Sequence, residues 1–350
     1  MDLHGFFAEL MDWHFAPETG SPFWLERLPG LGFDPRTDVR THEDLRLFPN
    51  VVDELRAVPV ADLVPRGYRG DLDVIGAYDS GGTTGDPKRL LLHADWFASY
   101  LPWVGERMDA LGFPEAGNWL ALAPSGPHVF GRVVADLVRR RKGILFTIDL
   151  DPRWVRRCLA EGRTEEAELY TEHLLDQAEA ILTGQRVDVL VATPPLLERL
   201  SLRPALVEAV TANVRTILWG GASLDPDTRQ LLREEVLPTV GLFGMYGSTT
   251  ILGGAMERPA APGDPVCVFD PFAPQMTFSV VDPATGEDVA EGERGQVVMH
   301  HVSRSLLLPN NLERDLATRI AAPPGVPGCS VADVAPVAAF QDTKVIEGVY

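Results

Sequence analysis

Short apolar runs alternate with longer amphipathic stretches between about residues 74 and 237. The amphipathic stretches predict helices, as from Thr164 to Leu182, where apolar residues recur at helical spacing. The apolar runs predict strands at 73–78, 118–123, 143–148, 188–192 and 216–219. Strands that alternate with helices favour an α/β domain in which a mostly parallel sheet is covered by helices.

The sequence on either side of this core has a different composition. Residues 1–70 are rich in proline, aromatic and charged residues, with helical patches around Phe6–His14 and His42–Leu47, and predict an N-terminal wrapping segment. Residues 71–240 are predicted to form the α/β core. Glycine and proline become dense after Gly241, so 241–335 is predicted as the second half of the core with a small β-rich subdomain, including strands at 276–282 and 295–301. Residues 336–350 are predicted to be a short tail that resembles a hinge.

Composition excludes several classes of protein. The net charge is -19 with only 31 Lys and Arg, so the chain as a whole repels polyanions, and we expect neither nucleic acid nor membrane as partner. Cys158, Cys267 and Cys329 lack the spacing of a zinc site or a disulfide framework. No apolar run reaches the ~18 residues of a membrane span, and the N-terminus is unlike a signal peptide, so a cytoplasmic location is predicted.

The segment from Ser80 to Lys88 is the strongest candidate for a binding site. Its three glycines allow backbone N–H groups to converge on an anion, its hydroxyls add donors, and Lys88 supplies a positive charge. Leu90–Phe97 can continue as a helix, which would place the segment where a strand gives way to a helix. The spacing is not that of a Walker A loop, because Pro87 precedes Lys88 and Arg89 follows it. Taken alone, the segment is also consistent with a surface turn.

Ser80-Gly-Gly-Thr-Thr-Gly-Asp-Pro-Lys88 resembles the phosphate loop of the acyl-adenylate-forming (ANL) superfamily, whose pattern is Ser/Thr-Ser-Gly-Ser/Thr-Thr-Gly-x-Pro-Lys, and differs from it at Gly81. Further segments resemble family motifs in the family order, and the resemblance covers about residues 74–335. It is closest to the phenylacetate-CoA ligase-like branch. The further segments are 124–131, 219–224, 245–250 and 292–298, with a weak match at 330–334.

The resemblance implies an ANL-type large domain with two stacked, mostly parallel α/β subdomains and a small β-rich, barrel-like subdomain. It implies that Lys88 and Thr249 meet the phosphates, that His128 lies near the acyl pocket, that Tyr246 stacks on adenine, and that Asp333 holds the ribose. These roles make Lys88, Thr249 and His128 the candidate catalytic residues. The ATP- or AMP-binding residues implied are Ser80, Gly81, Gly82, Thr83, Thr84, Gly85, Gly220, Gly221, Ala222, Tyr246, Gly247, Ser248 and Asp333.

Two departures from the family pattern bear on activity. The glutamate that helps to place Mg²⁺ falls at Thr250, which is neutral, so no metal-binding residue is predicted. The C-terminal lid domain and its lysine have no counterpart in the sequence given, so a lidless enzyme is expected.

The reaction implied is the ATP-dependent activation of a small carboxylic acid as an acyl-adenylate, and the acid is expected to be aromatic. CoA, a carrier-protein thiol or an amine then accepts the acyl group. Two alternatives stay open: an acyltransferase or acyl-protein synthetase that uses Cys329, and a non-catalytic nucleotide-binding protein that works with a partner. The sequence also leaves open the identity of the acid and whether the chain forms a dimer.

Overall fold

The computed structural model describes residues 2–68, 70–71, 73–80, 87–265, 267–337, 339–340 and 343–344. The α-helices are α1 Leu3–Phe15, α2 Pro22–Arg27, α3 Pro35–Asp38, α4 Ala94–Ala110, α5 Val129–Arg140, α6 Pro152–Ala160, α7 Thr164–Gly184, α8 Pro194–Ser201, α9 Pro204–Asn213 and α10 Pro226–Leu231. Short 3-10 helices lie at Leu28–Gly30, Glu43–Leu47, Glu54–Arg56, Val60–Leu63, Arg66–Tyr68 and Thr249–Ile251, with a π-helical turn at Leu232–Val236.

The strands are β1 Val74–Asp79, β2 Arg89–His93, β3 Trp119–Ala123, β4 Leu145–Asp149, β5 Val189–Ala192, β6 Thr216–Gly220, β7 Gly241–Ser248, β8 Gly253–Glu257, β9 Phe269–Asp270, β10 Met276–Val281, β11 Arg294–Val302, β12 Leu307–Ala321, β13 Cys329–Pro336, β14 Ala339–Phe340 and β15 Thr343–Lys344. Within the described part of the chain, every helix is too short or too polar to cross a lipid bilayer.

The chain packs as two compact units, each built from separate stretches of sequence. The first unit contains Met1–Tyr100, Ser248–Gly254 and Asp270–Ala332, and the second contains Leu101–Gly247, Ala255–Phe269 and Asp333–Tyr350. The predicted segments 1–70, 71–240, 241–335 and 336–350 divide the chain along the sequence, whereas the units group residues by packing. The segment boundaries therefore remain a prediction.

The second unit contains the predicted parallel sheet, in the order β4–β3–β5–β6–β7, with each neighbouring pair parallel. Every residue of β3, β5 and β6 is buried, as expected when helices cover both faces of a sheet. The mixed α/β fold with a mostly parallel sheet is thus confirmed. Successive strands β4 and β5 lie on opposite sides of β3, and at such a reversal the carboxyl ends of the strands leave a crevice.

The first unit contains the predicted β-rich part. Strands β10 and β11 pair antiparallel, as do β11 and β12, and the order continues to β13. Phe278 of β10 also pairs with Cys329 of β13, so the first and last strands meet and the four strands close on one another. The predicted strands at 276–282 and 295–301 correspond to β10 and β11, and the turn between them includes Gly286 at φ 73°.

The expected helix directly after residues 80–88 is wrong. Residues Arg89–His93 form strand β2, which pairs antiparallel with β1, and helix α4 begins only at Ala94. Leu90 and Leu92 are fully buried while Leu91 is half-buried, so the apolar run has the alternating burial of a strand. The segment therefore connects the two strands of a hairpin, and no helix N-terminus follows it to attract an anion.

Candidate functional site

Lys88 lies at the end of the β1–β2 hairpin in the first unit. The backbone N–H of Ser80 donates to the carbonyl of Lys88 at 2.8 Å, and the N–H of Lys88 donates to the Ser80 hydroxyl at 3.0 Å. These two bonds fix Ser80 and Lys88 beside each other. The hairpin geometry thus holds Lys88 in place at the C-terminal end of the glycine-rich segment.

The ammonium group of Lys88 is held by acidic side chains. Its Nζ lies 3.2 Å from Oδ1 of Asp53, and the lysine side chain is 13% exposed against 46% for Asp53. Burial lowers the pKa of Lys88, while the charges of Asp53 and Glu313 act in the opposite direction. Lys88 is consequently a largely buried cation with two carboxylates near it, suited to meet an anionic ligand.

A chain of hydrogen bonds ends on Glu313 of β12, also in the first unit. Thr250 donates from Oγ1 to Oε1 of Glu313 at 2.9 Å, and the hydroxyls of Ser248 and Thr250 lie 2.8 Å apart. A threonine hydroxyl has one proton, so Ser248 must be the donor to Thr250. The Thr250 N–H in turn donates to the Ser248 hydroxyl at 3.3 Å. All donors in this chain point the same way, toward the carboxylate.

Glu313 is a candidate that the sequence reasoning missed. Burial and then the charge of Asp315 raise the pKa of Glu313, and the hydrogen bond from Thr250 and the charge of Lys88 oppose that rise. A signal was available in the sequence. The family motif that 330–334 weakly resembles is Thr-Gly-Asp-Leu, and its last two residues also occur as Asp315-Leu316, directly after Glu313-Arg314.

The remaining phosphate-loop residues Gly81, Gly82, Thr83, Thr84 and Gly85 lie outside the described residues. Thr249 lies half-buried in the 3-10 turn Thr249–Ile251, next to both hydroxyls of the hydrogen-bond chain. Among the predicted residues, the structure therefore brings together Ser80 and Lys88 at the hairpin, and Ser248 and Thr249 at the turn. Glu313 lies near both sets, through its charge interaction with Lys88 and its bond from Thr250.

The carboxyl edge of the sheet in the second unit carries the residues predicted to contact adenine. Gly220 ends β6 where a Cβ atom would lie 3.0 Å from the Met245 carbonyl oxygen and 3.1 Å from the Phe130 ring, so a larger residue would not fit without a shift. Gly221 has φ 83°, which a residue with a side chain rarely adopts. Ala222 is half-buried and Gly247 is exposed.

Two ring side chains belong to the same edge. Tyr246 of β7 is half-buried, with its ring centroid 5.7 Å from that of Phe269 at an angle of 48°. His128 immediately precedes α5 and is 9% exposed. Nearby along the chain, the Ser125 hydroxyl donates to Asp149 at the end of β4. Stacking by Tyr246 and a pocket role for His128 remain predictions.

Asp333 and Cys329 lie on β13, in different units. Asp333 is exposed, with φ 50°, and its role at the ribose remains a prediction. Cys329 is buried, and its thiol donates to the Phe278 carbonyl at 3.4 Å. Burial raises the pKa of Cys329 to about 12. A thiol that stays protonated and covered is a poor nucleophile, which weighs against the acyltransferase alternative.

The fold is that of the AMP-binding, acyl-adenylate-forming enzymes. Residues 168–304 match the family model described as AMP-binding enzyme. No curated protein matches the sequence.

Solved structures share the architecture at low sequence identity. ATP-bound MatB from Rhodopseudomonas palustris is 20% identical with a TM-score of 0.50, over 72% of this chain and 47% of MatB. A 2-hydroxyisobutyryl-CoA ligase in complex with 2-HIB-AMP and CoA is 14% identical with a TM-score of 0.63, over 95% of this chain and 67% of that protein. The chain spans about half the length of the first structures it matches, including a MatB chimera at 47% coverage. Identities this low define the fold alone.

Proposed function

We propose that this protein binds ATP and activates a small carboxylic acid as an acyl-adenylate. The observation that carries the proposal is the position of Lys88. This cation is largely buried, is fixed by the β1–β2 hairpin, and follows directly on the segment that resembles a phosphate loop.

The chemistry requires charge stabilisation more than covalent catalysis. A carboxylate oxygen of the acid attacks the α-phosphorus of ATP, the bond from that phosphorus to the pyrophosphate oxygen breaks, and acyl-AMP and pyrophosphate are the products. Negative charge on the phosphate oxygens is stabilised by positioned cations and hydrogen-bond donors. Lys88 supplies the cation, and Ser80 and Thr249 supply hydroxyl donors.

We propose an aromatic acid as substrate on the basis of the phenylacetate-CoA ligase-like resemblance, and a thiol of the CoA type as acceptor. The similar 2-hydroxyisobutyryl-CoA ligase was solved with 2-HIB-AMP and CoA, which supports a CoA-type acceptor and makes small hydroxy acids the natural comparison. The test therefore needs both aryl and short aliphatic acids.

Incubation of the protein with ATP, Mg²⁺, hydroxylamine and each acid should release pyrophosphate and form the hydroxamate of the preferred acid. Lys88→Met should weaken ATP binding by about 10- to 100-fold, the value of a lost hydrogen bond to a charged group. Lys88→Arg should retain part of the affinity. Lys142→Met is the matched control, because Lys142 is exposed and belongs to no part of the site. Equal ATP affinity in Lys88→Met and Lys142→Met would contradict the proposal.

A second candidate, nucleotide binding without catalysis, is favoured by one observation. Thr250 takes the place of the glutamate that the family pattern has at that position. Tight ATP binding in calorimetry with no pyrophosphate release for any acid would select this candidate, whereas turnover by the chain would exclude it.

A further inference from the structure

Residue 250 lacks a carboxylate, yet a carboxylate lies one hydrogen bond away. Thr250 is 3% exposed, and the single proton of its hydroxyl is donated to Glu313 at 2.9 Å. Glu313 comes 63 residues later and belongs to another strand, β12. A carboxyl group from another part of the sequence therefore lies 2.9 Å from the hydroxyl of residue 250 in the first unit.

The atoms around Glu313 are of the kind that Mg²⁺ prefers. Its carboxylate and the hydroxyls of Ser248 and Thr250 are all oxygen donors, whereas thiolates and imidazoles favour other metals. Among the described residues, no group of three or more acidic, histidine or cysteine side chains could hold a metal by itself. A single carboxylate suits Mg²⁺ in a nucleotide site, where phosphate oxygens and water complete the coordination.

Charged groups of both signs lie near Glu313. After burial, the charge of Asp315, two residues further along β12, raises the pKa of Glu313, whereas the charges of Lys88 and Arg314 oppose that rise. The Nζ of Lys88 is itself paired with Asp53 at 3.2 Å. A divalent cation at Glu313 would be attracted by the carboxylates of Glu313 and Asp315.

We propose that Glu313 supplies, from strand β12, the carboxylate that residue 250 lacks, and that the Mg²⁺ accompanying ATP binds to it. The inference rests on the proposed function, because the phosphates of ATP complete the coordination of the metal. Thr250 is then a positioning residue: its hydroxyl, oriented by Ser248, holds the carboxylate in place. The family pattern places the metal-binding carboxylate at the position of residue 250, whereas this chain would place it at residue 313.

The experiment measures ATP affinity of the full chain by calorimetry, with Mg²⁺ and with EDTA. Mn²⁺ in place of Mg²⁺, followed by its electron paramagnetic resonance signal, gives a direct metal readout that does not depend on turnover. Glu313→Gln keeps the shape of the side chain and removes the charge. Glu291→Gln, at an exposed position in the turn before β11, controls for the loss of one charge. Thermal unfolding of each variant verifies that it folds.

In the unmodified protein and in Glu291→Gln, the metal should tighten ATP binding. In Glu313→Gln, the affinity for the metal should fall by about 10- to 100-fold, as it does when a group of a metal site is lost. ATP affinity in EDTA should be unchanged or higher in Glu313→Gln, because a negative charge near the phosphates is gone. The exchanged variant Thr250→Glu with Glu313→Thr should recover metal dependence, since it returns the carboxylate to position 250.

The inference is overturned if Glu313→Gln keeps the full effect of the metal, or if it weakens ATP binding equally with metal and with EDTA, as a purely structural role would. A folded exchanged variant that does not regain metal dependence also contradicts it, because the two positions would then not be equivalent. Absence of ATP binding under every condition refutes the proposed function itself, which is a different result from ATP binding that is insensitive to Glu313.

Discussion

Acidification should destabilise the first unit through two buried histidines. The His14 Nε2–H donates to the Ser303 carbonyl at 2.6 Å, while its Nδ1 is buried with no hydrogen-bond partner. The His301 Nδ1–H donates to the Ile251 carbonyl at 2.7 Å, and its Nε2 accepts from the Ser303 hydroxyl at 2.7 Å. Both rings are thus built into the structure as neutral imidazoles that share Ser303.

The size of the effect follows from the two pKa values. Burial lowers the pKa of His14 from 6.5 to about 4 and that of His301 from 6.5 to about 3. Because the folded pKa is lower than the unfolded one, the stability is present above the unfolded pKa and is lost as the pH falls through the window from 6.5 toward these values. At about pH 5 each unfolded histidine is protonated and each folded one is neutral, so each lowers the free energy of unfolding by about 2 kcal/mol. The pair removes about 4 kcal/mol, a large part of the ~5–15 kcal/mol typical of a folded domain.

Urea unfolding at about pH 8 and about pH 5 measures this loss. Hydrogen exchange in peptides that cover β11 and α1 assigns the transition to the first unit. His14→Gln retains an N–H donor for the Ser303 carbonyl but cannot titrate, so it should lose about 2 kcal/mol less than the unmodified protein over the same interval. His4→Gln, at an exposed position, should change nothing.

The raised pKa of Glu313 acts in the opposite direction, since its contribution to stability grows as the pH falls. Burial also lowers the pKa values of His42, His93 and His300, which add to the loss on acidification. These contributions and that of Glu313 are common to all three proteins and cancel in their comparison. The reasoning is refuted if His14→Gln loses as much stability on acidification as the unmodified protein does.

Three further predictions concern packing and reactivity. In the second unit, Arg229 and Glu257 form an ion pair at 2.5 Å with side chains 3% and 7% exposed, so Arg229→Met alone should cost about 3–5 kcal/mol in urea unfolding. The double variant with Glu257→Gln, which removes the charge and can still accept from the Gly244 N–H, should recover most of that loss. If the double variant is no more stable than the single one, the buried charge is not the cause. Gly220→Ala should destabilise the second unit by about 1–3 kcal/mol in thermal unfolding, because its Cβ would lie 3.0 Å from a backbone oxygen. Gly184→Ala is the control: Gly184 has open space around it, so this change should be neutral or stabilising. Equal effects of the two changes would contradict the packing argument. Cys329 should resist alkylation in the folded protein and react in urea, because it is buried and its pKa is raised to about 12. Mass spectrometry of the peptide that contains Cys329 measures the labelling. Rapid labelling of the folded protein would show that the thiol is accessible and would contradict the prediction.

The parallel sheet could be predicted from sequence because β3, β5 and β6 are apolar at nearly every residue, and only a strand covered on both faces has that pattern. The same reasoning failed at Leu90–Phe97, where one apolar run continues from strand β2 into helix α4. Local pattern cannot show where the strand ends and the helix begins within such a run. The pairing of β2 with β1 decides it, and that pairing depends on residues on the far side of the glycine-rich segment.

Local pattern could indicate the segment that contains Glu313, but not the contact of Glu313 with Thr250. Its partner Thr250 lies 63 residues away, and neither residue has a neighbour in sequence that indicates the contact. The sequence did indicate that Thr250 departs from the family pattern. Only the folding of β12 beside the turn Thr249–Ile251 brings a compensating charge to it.

The hairpin that carries Lys88 has a consequence for how such a protein can be altered. The Ser80 N–H donates to the Lys88 carbonyl, and Asp79 pairs with Arg89 just behind them. Strand pairing therefore sets where Lys88 lies relative to Ser80. A single insertion within β2 would turn successive side chains to opposite faces. Changes meant to keep the ammonium group in its place must therefore leave the register of β2 against β1 intact.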